Sequence, residues 1–343
     1  MESFNAMTTN TEQQAPLAVA HLYHSWITGL VLSLVTHKGP DIAAEFVFRL
    51  FRHQHLQRFL PGLVKLELDG LPHAVAAAQY HYFSNQLGGV KVEYFEESER
   101  KAWVRYPPPR WIWLGTAICA IPNAVNQAML LGWHAHNGVS LNNPKLGFVC
   151  TKSTIEGQPG LEGYYLEYDH GLSPDQRLRY APDESCPPIV KSSLPRLDVE
   201  TWPALRQAKA YRNYSMEYLR NGLPVLIDLL GPRDALQIGQ LCGRQIGMQC
   251  YDEISRGLGV VDDDAESFLQ LVEALLIASG DQVERSGEVI HRRLWRLASG
   301  IPSDTTFSAI WRAPFEGLLA VHNRFLGFKD SDDDNFALRP TRG

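Results

Sequence analysis

The sequence predicts an α+β fold, with α/β the neighbouring class, built as two related halves that each pack helices on a small antiparallel sheet. Three observations carry this. Stretches with apolar residues at helical spacing are followed by short stretches of strict alternation. Each stretch ends at Gly, Pro or Asn punctuation. The series helix, helix, helix, hairpin, helix then recurs at a constant offset of 192 residues: Gly39-Pro40 falls on Gly231-Pro232, Gly88 on Gly280, Trp103 on Trp295, Ala117-Ile118 on Ala309-Ile310, and Pro122 on Pro314.

Residues 1–20 are polar, with no basic start, and read as a disordered lead-in in which Met7 is an alternative first residue. The first repeat spans 21–170. Residues 22–37 predict a buried helix that stops at Gly39-Pro40. Asp41–Phe59 predicts a second, with Phe46, Phe48, Leu50, Phe51, Leu56 and Phe59 at helical spacing and Pro61-Gly62 as its breaker. Residues 72–87 predict a third, opened by Pro72 and closed by Gly88-Gly89. Val90, Val92 and Tyr94, then Ala102, Val104 and Tyr106, alternate on either side of a turn and predict a hairpin. Pro107-Pro108-Pro109 is a stiff connector. Ala117–Trp133 predicts a helix, and GFVCTKST and GYYLEYD two strands around a glycine-rich turn.

Residues 171–203 are rich in proline, hold no sustained period, and read as a linker. The second repeat, 204–329, predicts helices over Tyr211–Leu230 and Arg233–Leu258, a third capped by Asp262–Asp264 and running to Ala278, a hairpin in QVERSGEVIHRRLWRL, and a helix over Phe307–Phe325. It looks like a degenerate copy that supports the first and lacks a partner for GYYLEYD. Gly239, Gly243 and Gly247 form one small-residue face, a candidate surface for a homodimer or scaffold contact. Residues 330–343 read as an acidic tail; Asp330–Asp334 lacks the glycine and terminal glutamate of a calcium loop.

Hydrophobic residues are 45% and charged residues 20%, with a formal net charge of −6. That is ordinary globular composition with no basic footprint, so nucleic acid is not an expected partner. The apolar run Ile27–Val35 is too short to span a bilayer, so no membrane partner is expected and the chain reads as cytoplasmic. Five scattered cysteines, Cys119, Cys150, Cys186, Cys242 and Cys250, contain no CxxC pair and suggest free thiols.

Candidate chemistry concentrates in the first repeat. In LGWHAHNGVS, His134 and His136 share a face on a strand but not on a helix. Three readings stay open for them: pocket residues, hydrogen-bonded structural histidines, and ligands of a divalent metal. At the 192 offset they face Leu326 and Phe328, so polar groups stand where the other copy is apolar; a shifted register would match them to Val321-His322-Asn323. Cys150 is a buried small residue or a nucleophile activated by His134 or His136. Glu162, Glu167, Asp169 and His170 are a solvated edge or a carboxylate–histidine pair for proton transfer. Trp111, Trp113, Trp133 and Tyr164, with Trp103 and Tyr165, line an aromatic ligand pocket with Asn137 and Thr154, and Arg110 anchors an anionic group.

PVLIDLLGPRDALQIGQLCGRQIGMQCYDEI, together with LLGWHAHNGVSLNNPKLGFVCTKSTIEGQPGLEGYYLEYD, resembles the vinyl-4-reductase ligand-binding domain and the related hydrolases acting on 2-amino-thiazoline-4-carboxylate. Gly231, Ala235, Gly243 and Gly247 fit the early helix of that family; Cys150, Gly157 and the strand Tyr164–Tyr168 fit its closing segment. The resemblance covers about a third of the chain. Residues 160–163 lack the second cysteine found in many sensor members, which removes a two-cysteine metal site. It implies a hydrolase of a small heterocyclic, amide or amidine-like compound, with His134 as acid or base, or a non-catalytic small-molecule sensor. No GxxxxGK[ST] motif or helix-turn-helix accompanies a sensor reading.

Overall fold

The computed structural model describes residues 11–107, 121–189, 194–301, 304–329 and 335–341. Pro108, Pro109, Arg110, Trp111, Trp113 and Cys119, the first ten residues with Met7, and Asp330–Asp334 lie outside the described residues. The chain divides into a central unit, Val31–Thr201, and a terminal unit made of Met1–Leu30 with Trp202–Gly343.

The fold class is α+β. Helix α1 (Thr11–Lys38) contributes its last turns to the central unit. There follow α2 (Pro40–Lys65), α3 (His73–Leu87), β1 (Glu93–Ser98), β2 (Lys101–Tyr106), α4 (Asn123–Gly132), a 3₁₀ turn at His134–His136, the single-turn α5 (Asn137–Ser140), β3 (Leu146–Lys152), β4 (Leu161–Glu167) and β5 (Leu178–Tyr180). The sheet order is β1-β2-β4-β3-β5, antiparallel except for the β3–β5 pair. Alternation along β4 sends Leu161, Gly163 and Tyr165 to one face and Glu162, Tyr164 and Leu166 to the other. Tyr165 meets the helices; Tyr164 packs on Trp103 and Val149 beneath Ala181 and Cys186. The segment read as a linker is therefore partly structural. Its β5 extends the sheet, and the residues after β5 cover the second face.

The terminal unit holds the first turns of α1, then α6 (Ala204–Leu230), α7 (Pro232–Gly257), α8 (Ala265–Ser279), β6 (Gln282–Ser286), β7 (Val289–Leu294), α9 (Thr305–His322), β8 (Leu326–Phe328) and β9 (Asn335–Pro340), with sheet order β6-β7-β9-β8. α1 divides between the units because its early turns bury against terminal helices: Trp311 donates to the Tyr23 hydroxyl at 2.8 Å, and Gly29 lies against Ile246 and Cys242.

Parts of the two units match. α2 and α7, and likewise α3 and α8, share bounds at the 192 offset. Gly39 and Gly231 adopt matching backbone angles, φ 88, ψ 168 and φ 75, ψ 159, so each Gly-Pro junction turns the chain identically into the next helix. β9 lies between β7 and β8 as β4 lies between β2 and β3. The second sheet thus has the partner that the sequence was expected to lack, and part of the expected acidic tail is strand. The offset slips by three to four residues at the hairpin, where β2 would fall on 293–298 but β7 is Val289–Leu294, so Trp103 lies in a strand and Trp295 after one, and it fails entirely after the last helix. β8 sits in its sheet as β3 does, so His134 and His136 belong to a longer connection with no counterpart at Leu326 and Phe328.

Several helices outrun their predicted ends. α1 spans Thr11–Lys38, so residues 11–20 of the expected disordered lead-in are helical, and Gln13–Lys38 is long and apolar enough to cross a membrane by length and composition, although 67% of its most apolar window is buried. α2 passes through Pro61-Gly62. Pro61 is exposed and removes one backbone donor, and Gly62 leaves space for the Tyr80 ring, onto which an added Cβ would close to 2.4 Å. α9 ends at His322. α4 begins beyond Pro122, which caps it. Asp264 caps α8 by accepting from the Ser267 amide at 2.8 Å. The glycine face of α7 is covered by α9: an added Cβ at Gly239 would meet Ile310, at Gly243 Ala313, and at Gly247 the Pro314 carbonyl. It is an internal seam, which removes it as a dimer surface.

Candidate functional site

The central unit gathers four histidines and two tyrosines where α2, α3 and the α4–β3 connection meet β4. α2 buries its apolar stripe, and His55 takes the place of an apolar residue in it, between Phe51 and Phe59 at four-residue spacing. α3 does the same with His81, four residues after Ala77. After α4 the chain winds through a 3₁₀ turn, which points His134 and His136 in different directions.

His134 is 4% exposed, and its Nδ1 pairs with the Tyr165 hydroxyl at 2.7 Å. Its ring stacks on His81 at 4.1 Å and touches Phe148 at 4.5 Å. Asn137, fully buried, places its amide nitrogen 3.3 Å from His81 Nε2. His136 is half-buried and sets its ring edge-on to His55 at 5.2 Å. His55 Nε2 pairs with Ser140 Oγ at 2.8 Å. Trp133 stands among Phe51, His55, Tyr80 and His81, with ring separations of 5.5–6.3 Å.

Burial holds every one of these imidazoles neutral, because nothing nearby repays the desolvation of a charged ring. It pushes His134 down to about 3 and His55 to about 3, the latter helped by His136, Arg52 and His134. His136 falls to about 4 through burial and the charges of Arg52 and Arg177, and His81 falls well below its ordinary value through burial, His134 and His55. Burial also raises the Tyr165 phenol well above its usual range. The cluster is uncharged at neutral pH and built from groups that donate or accept single hydrogen bonds. Three of its buried polar atoms have no hydrogen-bond partner among the described residues: Trp133 Nε1, His55 Nδ1 and Asn137 Oδ1.

The sheet splits the remaining candidates. Glu162 lies on the opposite face from Tyr165, accepting from Thr151 Oγ1 at 2.8 Å and the Cys186 amide at 3.0 Å. Tyr164 is on that face too, against Trp103 and under the Lys101 ammonium. Of the adjacent pair Tyr164-Tyr165, the second meets His134, so Tyr164 and Glu162 leave the predicted pocket. Cys150 is buried, its Sγ contacts the Lys152 carbonyl, and burial followed by the Glu156 and Glu162 carboxylates pushes its thiol up to about 12. No histidine among the described residues hydrogen bonds to it, so the activated-nucleophile reading fails: the surroundings oppose the thiolate. Thr154 sits in the turn after β3, its Oγ1 buried and without a partner among the described residues. Glu167 accepts from Asn143, exposed Asp169 pairs with Arg100, and His170 is exposed, which is the solvated-edge reading.

Among the described residues no group of three His, Cys, Asp or Glu side chains is placed to hold a metal. His134 and His136 reach different neighbours, so they do not chelate as a pair. His322, at the end of α9, pairs with the Tyr251 hydroxyl and the Asp264 carbonyl at 2.8 Å each, a structural histidine inside the terminal unit. His55, His81 and Ser140 went unremarked in the sequence; the signal was a histidine at an apolar position of a helical stripe. Comparison of the chain with protein-family models, with curated proteins and with solved structures finds no match.

Proposed function

We propose that the central unit binds a small uncharged or weakly polar molecule, in the size range of a single heterocycle, at the His55–His81–His134–Asn137–Trp133 cluster. The observation that carries this is the set of three buried atoms without partners. A buried polar atom left unpaired costs about 1–3 kcal/mol, so three together favour an occupant that supplies the missing partners. Trp133 Nε1 calls for an acceptor and Asn137 Oδ1 for a donor, the complement presented by an amide, an amidine or an aminoheterocycle. Neutral imidazoles and flat aromatic neighbours suit such a molecule better than an ion. The resemblance to small-molecule-binding domains points the same way, and the matching parts of the two units support descent by internal duplication, with the terminal unit lacking the cluster.

A second reading, hydrolysis of a C–N bond, is favoured by the His134–Tyr165 pair, which fixes one imidazole nitrogen and leaves the other for proton transfer. One titration separates the two. The full chain is mixed with 2-aminothiazole, 2-amino-thiazoline-4-carboxylate and benzamide, and melting temperature and product formation are both followed. Stabilisation without product, lost in Asn137→Leu, supports binding alone. Product that disappears in His134→Phe supports the hydrolase. No stabilisation and no product with any of the three removes both readings.

A further inference from the structure

One cation of the central unit has nothing among the described residues to neutralise it. Arg177 closes the short 3₁₀ turn Pro174–Arg177 that leads into β5, and its side chain is half-buried. Its Nε is buried with no hydrogen-bond partner among the described residues, and no carboxylate among them pairs with it. Arginine is seldom taken out of water unless a carboxylate, a carbonyl or a phosphate meets its planar fork. Arg179, two residues on, shows the ordinary solution: it is exposed and donates to the Tyr168 hydroxyl at 3.0 Å.

Arg177 and the histidine turn lean on the same end of one strand. An added Cβ at Gly147 of β3 would come within 3.4 Å of the Arg177 carbonyl oxygen, and one at Gly138, just after the turn, within 2.4 Å of the Leu146 carbonyl oxygen. Two consecutive residues of β3 therefore bring the two turns side by side. His136 stands between positive charges, Arg52 and Arg177, and no carboxylate among the described residues offsets them. Arg52 has its Nε and Nη2 on the last carbonyls of α4, Gly132 at 3.0 Å and Leu131 at 2.9 Å, so it supplies field rather than an open fork. His136 is half-buried, and its ring contact among the described residues is with His55. Donation from Ser140 to His55 Nε2 places that ring's proton on Nδ1, a buried donor without a partner among the described residues. Two guanidiniums and two imidazoles thus gather at this edge of the cluster without an acid among them.

We infer that Arg177 and His136, in the field of Arg52, hold an oxyanion: the carboxylate or phosphate group of a small molecule. The fork of Arg177 donates to two of its oxygens, His136 adds a neutral donor, and the anion supplies the charge that the described residues leave unmet. A cation would be repelled by both guanidiniums, and an uncharged molecule would leave Arg177 unneutralised. The sequence offered Arg110 as the anchor for an anionic group; Arg110 lies outside the described residues, and Arg177 stands in the stretch that read as a linker. The inference does not rest on a neutral occupant of the ring cluster. It concerns the edge of that cluster, where His55 is the shared residue.

The test is a titration of the full chain with inorganic phosphate and, separately, with acetate at neutral pH, the ionic strength held constant with sodium chloride. Imidazole resonances are followed by NMR, alongside the melting temperature. The expected result is a saturable shift of the His136 resonances while those of exposed His170 stay still, a readout that needs no variant. Affinity should fall about tenfold or more in Arg177→Gln and stay unchanged in Arg179→Gln. Arg177→Lys, which keeps the charge and loses the fork, should bind between the wild type and Arg177→Gln. Removing the Arg177 charge should also raise the pH at which His136 titrates, because that charge helps to hold it down. Circular dichroism checks that the variants fold. Whether phosphate or acetate gives the response tells phosphate esters from carboxylates as the natural source. No saturable shift of His136 with either anion overturns the inference, as does a response that a folded Arg177→Gln keeps in full, which would place the anion elsewhere on the surface.

Discussion

The seam between α7 and α9 and the seam between α2 and α4 are built around helices that share bounds at the 192 offset, yet they solve opposite problems. α7 offers Gly239, Gly243 and Gly247, and α9 presses on them until the gap is smaller than a methyl group. At the same register α2 carries Val47, Phe51 and His55, all buried. Their side chains occupy the space, and the close approach moves to Gly132 at the end of α4, which meets the Phe48 carbonyl. Backbone-to-backbone packing leaves no room for chemistry. Side-chain packing leaves a layer of rings, and it is in that layer that His55 meets Trp133 and His136. The difference teaches that a helix pair gains a polar interior where one helix face trades glycine for bulk.

The largest test of this contrast is Gly247→Leu against His55→Leu. At Gly247 the first added carbon would lie 2.0 Å from the Pro314 carbonyl oxygen and 2.9 Å from the Leu318 nitrogen, backbone atoms that cannot swing aside. The expected loss is about 3 kcal/mol or more in a denaturant titration. His55→Leu keeps the volume and removes both a hydrogen bond and an unpartnered nitrogen, so it should cost about 1 kcal/mol or less. Equal losses at the two positions would break the comparison.

Acid should separate the units next, in opposite directions. His55 and His134 have folded values near 3, below the 6.5 of the free side chain, so the folded state resists protonation. Their contribution is complete above about pH 6.5 and drains as the pH falls toward 3, by an amount on the order of a few kcal/mol. In the terminal unit, burial raises the Asp281 carboxyl to about 6 against the pull of the Arg296 amide and nearby arginines, and its Oδ2 has no partner among the described residues. A raised carboxyl favours folding when protonated, and that gain is lost as the pH rises through about 6. Hydrogen exchange followed by peptide at pH 7, 5.5 and 4 should show central protection falling on acidification while the region around Asp281 holds or gains. Parallel loss in both units would sink the assignment.

The smallest effect sharpens the likeness rather than the difference. Gly39→Ala and Gly231→Ala each place a side chain at positive φ and extended ψ, with nothing within 4 Å of the new carbon. The cost is backbone strain alone, about 1–3 kcal/mol, and should be the same at both junctions when melting temperatures are compared.

Much of the framework was legible because its signals are local. Gly39-Pro40 and Gly231-Pro232 each announce a helix start, and the two hairpins announce themselves by alternation. Pro61 misled because a proline on the exposed side of a helix end costs only one donor. The second sheet's β9 was hidden by its neighbours, since an acidic run preceded it. The candidate site was half legible. His134, Asn137 and Trp133 fell together, but adjacent Tyr164 and Tyr165 point to opposite faces, and a sequence does not say which face meets the helices. His55 and His81 passed as interior residues of apolar stripes, and only tertiary packing brings His81, 53 residues away, onto the ring of His134 and His55 against Trp133 and His136.

The cover over the second sheet face gives the central unit a built-in reporter. Cys186 is part of that cover, packed against the Trp103–Val149–Tyr164 cluster with its amide donating to Glu162, and burial together with that carboxylate pushes its thiol up to about 12. In place, it carries almost no thiolate at neutral pH and reacts with alkylating reagents slowly. When the segment lifts, the thiol regains ordinary acidity and water access. The rate of Cys186 labelling is then a clock for the opening of that strap, read without unfolding the rest of the chain.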